Sequence, residues 1–244
     1  MKAWGIKDLI KEIKSEANPV QAINLQRFFK TDPGQYGAGD VFLGLKVPVQ
    51  REIAARYTHL KPVNIQTLLN SPYHEFRLIG LLILTKQYQT VDPVAQKSLV
   101  RFYLKNSTRI NNWDLVDLSV YKILGDYLWQ EIKAGRYLET KKTLDKLAGS
   151  NNLWQRRMAM IATLAFIKQG DFRETLRLAQ KLLKDSHDLM HKAVGWTLRE
   201  VGKKAGERTL LNFLDKYSRQ MPRTALRYAL EKLSPKQRAA YLKK

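Results

Sequence analysis

The sequence contains no cysteine. That absence excludes disulfides, Cys-ligated zinc, iron–sulfur clusters and thiol nucleophiles together. Glycine and proline are sparse, at 13 and 8 of 244 residues, while 44% of the chain is hydrophobic. Disorder is therefore excluded as the dominant state. No apolar run approaches a membrane span: the longest, Leu78 to Leu84, covers seven residues where a span needs about 20. The opening stretch MKAWGIKDLIKEIK breaks each apolar segment with a charge, so it lacks the apolar centre of a signal peptide. These absences lead to the expectation of a soluble intracellular protein without a membrane partner.

Acidic residues are also scarce, at 22 against 43 Lys and Arg, for a formal charge of +21. The surplus is unevenly placed. Residues 1–60 hold nine basic and six acidic groups, and 61–110 hold seven and two. Residues 111–150 balance at six and six, whereas 151–244 hold twenty-one and eight. The last stretch therefore supplies +13 of the +21. Such an asymmetric surplus points to a polyanionic partner and away from a small neutral substrate.

Apolar spacing is helical along nearly the whole chain, as in Trp4, Ile6, Leu9, Ile10 and Ile13 or in Leu115, Leu118, Ile123 and Leu124. No Asn-Gly or Asp-Gly pair joins two β-branched runs, so hairpins are unsupported. Seven of the eight prolines (19, 48, 62, 72, 93, 222 and 235) precede a periodic segment, as expected in a first helical turn. Asn18, Ser71, Asp92 and Ser234 stand before four of them as cap candidates. Helices are expected near 4–16, 19–30, 48–58, 62–70, 72–88, 93–105, 114–130 and 136–148. Others follow near 152–168, 172–184, 187–203, 206–218, 222–232 and 235–242.

Successive pairs begin roughly every 30–40 residues, the period of helical solenoids. The fold class expected is all-α: a superhelix of HEAT-like helical pairs with a concave basic groove. The exception is Thr31 to Gly39 (TDPGQYGAG), which must be a loop. The expected organisation is one domain over 1–244, with an N-terminal helical pair at 1–30, a glycine-rich loop at 31–47 and a repeat array at 48–244.

Three segments could carry chemistry. In Asn111-Asn112-Trp113-Asp114-Leu115-Val116-Asp117, Trp113 and Asp117 lie four apart and share a helix face. Asp114 is placed to favour the helix start. Asp117 is either a half-buried carboxylate beside an aromatic ring or one residue of a solvated face. In Leu153-Trp154-Gln155-Arg156-Arg157-Met158, the consecutive arginines cannot face one direction, so one can point into the concave face while the other is solvated. Trp196 and Arg199 are three apart, and Gly195 beside them implies close backbone approach. Trp with Arg reads either as a core ring flanked by long side chains or as an aromatic wall with phosphate clamps. His187 and His191 are spaced for two ligands on one helix, but the motif lacks the Glu of H-E-x-x-H and a third ligand, so no metal is expected.

Together these segments resemble the AlkD family of bacterial DNA glycosylases, which are HEAT-like solenoids. The resemblance covers most of the chain. It rests on Phe42-Leu43-Gly44 with Pro48, on His74-Glu75-Phe76-Arg77, and above all on WDLVD at 113–117, LWQRR at 153–157 and GWTLRE at 195–200. It implies excision of positively charged N3- and N7-alkylated purines from double-stranded DNA without cofactor or metal. By position, Asp117 would be the catalytic carboxylate, and Trp113 and Trp196 the aromatic pair beside the lesion nucleotide. Arg157 would clasp the backbone and Arg199 would make a second phosphate contact; Arg156 and Lys192 complete the expected DNA-binding set. The family acts without inserting the base into a pocket. The expected protein is a cytoplasmic, nucleoid-associated monomer. A non-catalytic HEAT-like scaffold that binds nucleic acid by charge alone is the alternative, and a protein–protein adaptor is least consistent with the charge.

Overall fold

The computed structural model describes residues 4–243. The fold is an all-α helical repeat. A lone bridge between Val41 and Tyr73 is the only extended pairing among the described residues. Packing divides the chain into two compact units, 1–119 and 120–244.

The first unit holds α1 (Ile6–Ser15), α2 (Pro19–Phe29), α3 (Val47–Arg56), α4 (Pro62–Leu69), α5 (His74–Thr90), α6 (Pro93–Lys105) and all but the last residue of α7 (Trp113–Val120). Its centre is α5, against which α3, α4 and α6 pack. The run Leu78–Leu84 belongs to this helix and is buried all round, which explains its lack of a polar face. Gly80 permits the approach of α4, since a Cβ there would lie 3.2 Å from the Leu68 Cβ. Two predicted caps form directly. Asn18 accepts from the Gln21 amide, and Asp92 accepts from Val94 and Ala95. Pro72 is an exception: α5 begins only at His74, and the Ser71 hydroxyl serves the Tyr73 amide in a turn.

The second unit opens with a π-helical turn, Tyr121–Gly125. It continues through α8 (Asp126–Lys133), α9 (Tyr137–Ala148), α10 (Leu153–Ala162), α11 (Leu164–Lys168) and α12 (Arg173–Leu182). Last come α13 (Asp188–Ala205), α14 (Glu207–Tyr217), α15 (Arg223–Leu230) and α16 (Pro235–Lys243). The long helix α13 packs against α10, α12, α14 and α15. The amphipathic partners bury residues at helical spacing, as in Leu210, Phe213 and Leu214 of α14 or Ala225, Leu226, Ala229 and Leu230 of α15. Ser234 and Gln237 form the reciprocal cap of α16.

Two expected helices are interrupted. The segment 114–130 contains the π turn, where Gly125 presses on the Ala162 carbonyl so closely that a Cβ would sit 2.3 Å from it. The segment 152–168 divides at Thr163, whose hydroxyl bonds the Met160 carbonyl at 2.7 Å and competes with the helical ladder. Pro222 caps α15 from outside its first turn.

Candidate active site

In the first unit, the start of α7 is held by a buried polar network. The Asn112 side chain accepts from the Trp113 amide at 2.8 Å and donates to Asp40 Oδ2 at 3.1 Å. Asp40 also accepts from Arg77 Nη2 at 2.5 Å and lies 3.1 Å from His74 Nδ1. The other ring nitrogen, His74 Nε2, lies 2.8 Å from Asp114 Oδ2. All four charged residues are at least 94% buried. Burial alone pushes the His74 pKa down, but the charge and hydrogen bond of Asp114, together with Asp40, raise it to about 9. Burial likewise works to raise Asp40, yet its bonds and charge interactions with His74, Arg77 and Asn112 hold it below the usual carboxylate value. The set is thus two cations facing two anions.

An aromatic cluster lies beside it. The His74 ring stacks on Phe42 with centroids 4.6 Å apart, and Phe42 stacks on Phe29 at 5.0 Å. Phe29 stacks on Trp113 at 5.2 Å and 15° between planes, while Phe28, exposed on α2, meets Trp113 edge-on at 5.9 Å. Trp113 itself is half-buried. One turn later Asp117 is also half-buried. Burial and then the charge of Asp117 push up the Tyr103 phenol, against the pull of its hydrogen bond with Ser119.

The motifs at 42–45 and 74–77 bond to each other. Glu75, fully buried, accepts the amide hydrogens of Leu43, Gly44 and Leu45 at 2.8–3.2 Å. These residues were visible in the sequence only as family signatures. The charged set of Asp40, His74, Arg77 and Asp114 had no local signal, because its members are up to 74 residues apart.

In the second unit, Trp154 is buried, the core-ring reading. The neighbouring arginines differ in exposure: Arg157 is buried, whereas Arg156 keeps 18% of its side chain exposed. Arg156 bonds Asp185 at 2.6 and 3.3 Å and the carbonyls of Ser150 and Asn151 at 3.0 Å, whereas Arg157, 5% exposed, donates to the Leu189 carbonyl at 2.5 Å. A guanidinium drawn out of water has to be paired with carbonyls or carboxylates, because an unpaired buried charge is costly.

On α13, Gly195 supports the predicted close approach: a Cβ would lie 2.4 Å from the Ala225 carbonyl and 2.5 Å from the Tyr228 Cβ. Trp196 is half-buried next to it. Arg199 bridges Glu231 and, at 3.2 Å, Glu200. Lys192 pairs with Asp188 at 2.8 Å. His187 caps α13 by accepting from the Leu189 amide, and His191 Nε2 lies 2.6 Å from the Asp185 carbonyl, so both rings have structural partners. No helix among the described residues is long and apolar enough to cross a membrane.

The model of the DNA alkylation repair enzyme family matches residues 9–233, and the chain belongs to that family. A solved structure described as a predicted DNA alkylation repair enzyme from Enterococcus faecalis is similar over 90% of this chain and 98% of its own. Its TM-score is 0.69 at 15% identity, a likeness of fold. The comparison with proteins of curated function finds no match.

Proposed function

We propose that the protein is a DNA glycosylase that excises positively charged N3- and N7-alkylated purines from duplex DNA. Hydrolysis of the N-glycosidic bond leaves an abasic site. The observation that carries this reading is the first two turns of α7: a half-buried Trp113, braced on Phe29, with half-buried Asp117 one turn along the same helix.

The chemistry needs little more. Alkylation makes the purine a good leaving group, so no general acid is required. Positive charge develops on the sugar as the bond breaks, as in glycoside hydrolysis. The Asp117 carboxylate stabilises that charge and orients the attacking water. Trp113 offers its face to the cationic nucleotide, worth about 0.5–2 kcal/mol depending on desolvation.

In the second unit, Trp196 is assigned an aromatic contact with the lesion nucleotide, and Arg199 and Lys192 contacts with the DNA backbone. The charge of Arg156 is offset by Asp185, and Arg157 is assigned the backbone clasp, for which its buried guanidinium must leave the Leu189 carbonyl. The protein acts as a nucleoid-associated monomer in this reading.

The test is base release from duplex DNA carrying N7- and N3-methylpurines. Wild-type protein releases the methylated base, and Asp117→Asn abolishes release while duplex affinity is kept or improved. A wild-type protein that binds duplex DNA and releases no base is a scaffold, and the reading fails.

A further inference from the structure

We propose that Asp40 and His74 are positioning residues for excision: the glycine-rich loop delivers Asp40 into a buried four-charge set that holds the first turn of α7, and with it Trp113 and Asp117. This rests on the glycosylase reading.

The loop is built to place that carboxylate. Gly37 donates to the Lys30 carbonyl at 3.1 Å, and Asp40 donates to the Gly37 carbonyl at 3.0 Å. Gly37 sits so close to α2 that a Cβ would lie 2.4 Å from the Phe29 carbonyl, so no larger residue allows this path. The loop therefore folds onto the end of α2 and turns Asp40 inward, where it is 6% exposed.

Two chains of contact then run to Trp113. The polar one passes from Asp40 through the Asn112 amide to the Trp113 backbone amide. The aromatic one passes from the His74 ring, stacked against Phe29 and Phe42, to the Trp113 ring on Phe29. His74 joins them, because it also faces Asp114 in the first turn of α7.

For both ring nitrogens to donate to carboxylates, His74 must carry both protons. Arg77, the remaining charged neighbour, occupies the other oxygen of Asp40. The adjacent Glu75 carboxylate is taken up by the amides of Leu43 to Leu45. Loss of the second imidazole proton would set a lone pair against one of two carboxylates and break one of the two links. Network geometry and the orientation of Trp113 thus share one protonation state, whose pKa of about 9 leaves it filled at neutral pH.

The experiment uses full-length protein labelled with 5-fluorotryptophan, with the Trp113 fluorine resonance identified by its loss in Trp113→Phe. Between about pH 7 and pH 10 that resonance is expected to titrate with a midpoint near 9, and in His74→Gln to lose the titration. Asp40→Asn preserves shape while removing one carboxylate, so its midpoint is expected to fall. The same variant is expected to excise methylated base at least about tenfold more slowly in single turnover, with duplex affinity within about twofold.

A Trp113 resonance that does not titrate, or titrates equally without His74, overturns the proposal. So does wild-type excision by Asp40→Asn. Should wild-type protein release no base, the glycosylase reading fails, and the fluorine titration alone decides whether the network governs Trp113. If His74→Gln fails to fold, the midpoint in Asp40→Asn makes the same decision.

Discussion

His74 Nε2 lies 2.8 Å from Asp114 Oδ2, so a buried imidazole holds the residue next to Trp113. The folded pKa of about 9 exceeds the ordinary 6.5. A cation favoured by folding contributes fully below the unfolded value and is lost as pH rises through the folded one. Thermal stability is therefore expected to fall between pH 6.5 and 9, by about 3 kcal/mol if the whole shift is expressed. Asp40 acts at the other end: its lowered pKa contributes above the ordinary 3.8 and is lost on acidification. Unfolding midpoints measured across pH check this, and His74→Gln should flatten the alkaline decline. An unchanged slope in that variant would place the pH dependence elsewhere.

Glu75, fully buried, collects three backbone amides. Glu75→Ala strands those donors and should cost about 3 kcal/mol or more, since each buried donor left unpaired costs about 1–3 kcal/mol. Glu75→Gln keeps an acceptor oxygen and should cost less. Urea denaturation of the two variants gives the comparison, and equal losses would show that an acceptor of the same shape cannot replace the charged carboxylate.

Gly195→Ala inserts a methyl group into the contact between α13 and α15, where backbone and not a flexible side chain lies in the way. Overpacking of this kind costs about 1–3 kcal/mol. The expected result is a melting temperature lowered by roughly 2–4 °C per kcal/mol for a chain of this size. A melting temperature equal to wild type would mean that the helices separate without cost.

Arg199 is held by Glu231 and Glu200 in the unbound protein. If it contacts phosphate, Glu231→Gln should release it, tighten duplex binding and steepen the salt dependence by about one unit of slope. Glu16→Gln, which removes the same charge far from Arg199 in the sequence, serves as the control. Equal gains from both variants would reduce the effect to net charge.

The helices were readable because periodicity is local. Trp113 and Asp117 share a face by spacing alone, and the Asn18, Asp92 and Ser234 caps act within three residues. The interruptions at 121–125 and Thr163 were not readable in the same way. The first depends on Gly125 meeting the Ala162 carbonyl, a contact 37 residues away in sequence. The partners of Arg156 and Arg157 were unreadable for a related reason: alternation of direction follows from helix geometry, but pairing depends on Asp185 and the Leu189 carbonyl arriving from another segment.

Composition and spacing by themselves determined an all-α chain with a large basic surplus, since charge count and apolar period need no knowledge of neighbours. The tertiary structure decided which charges meet. Burial strengthens a bond and penalises an unpaired charge together. Thus Asp40 from a glycine-rich loop, His74 and Arg77 from α5 and Asp114 from α7 became one closed set, while Asp117 stayed half-buried beside it in sequence.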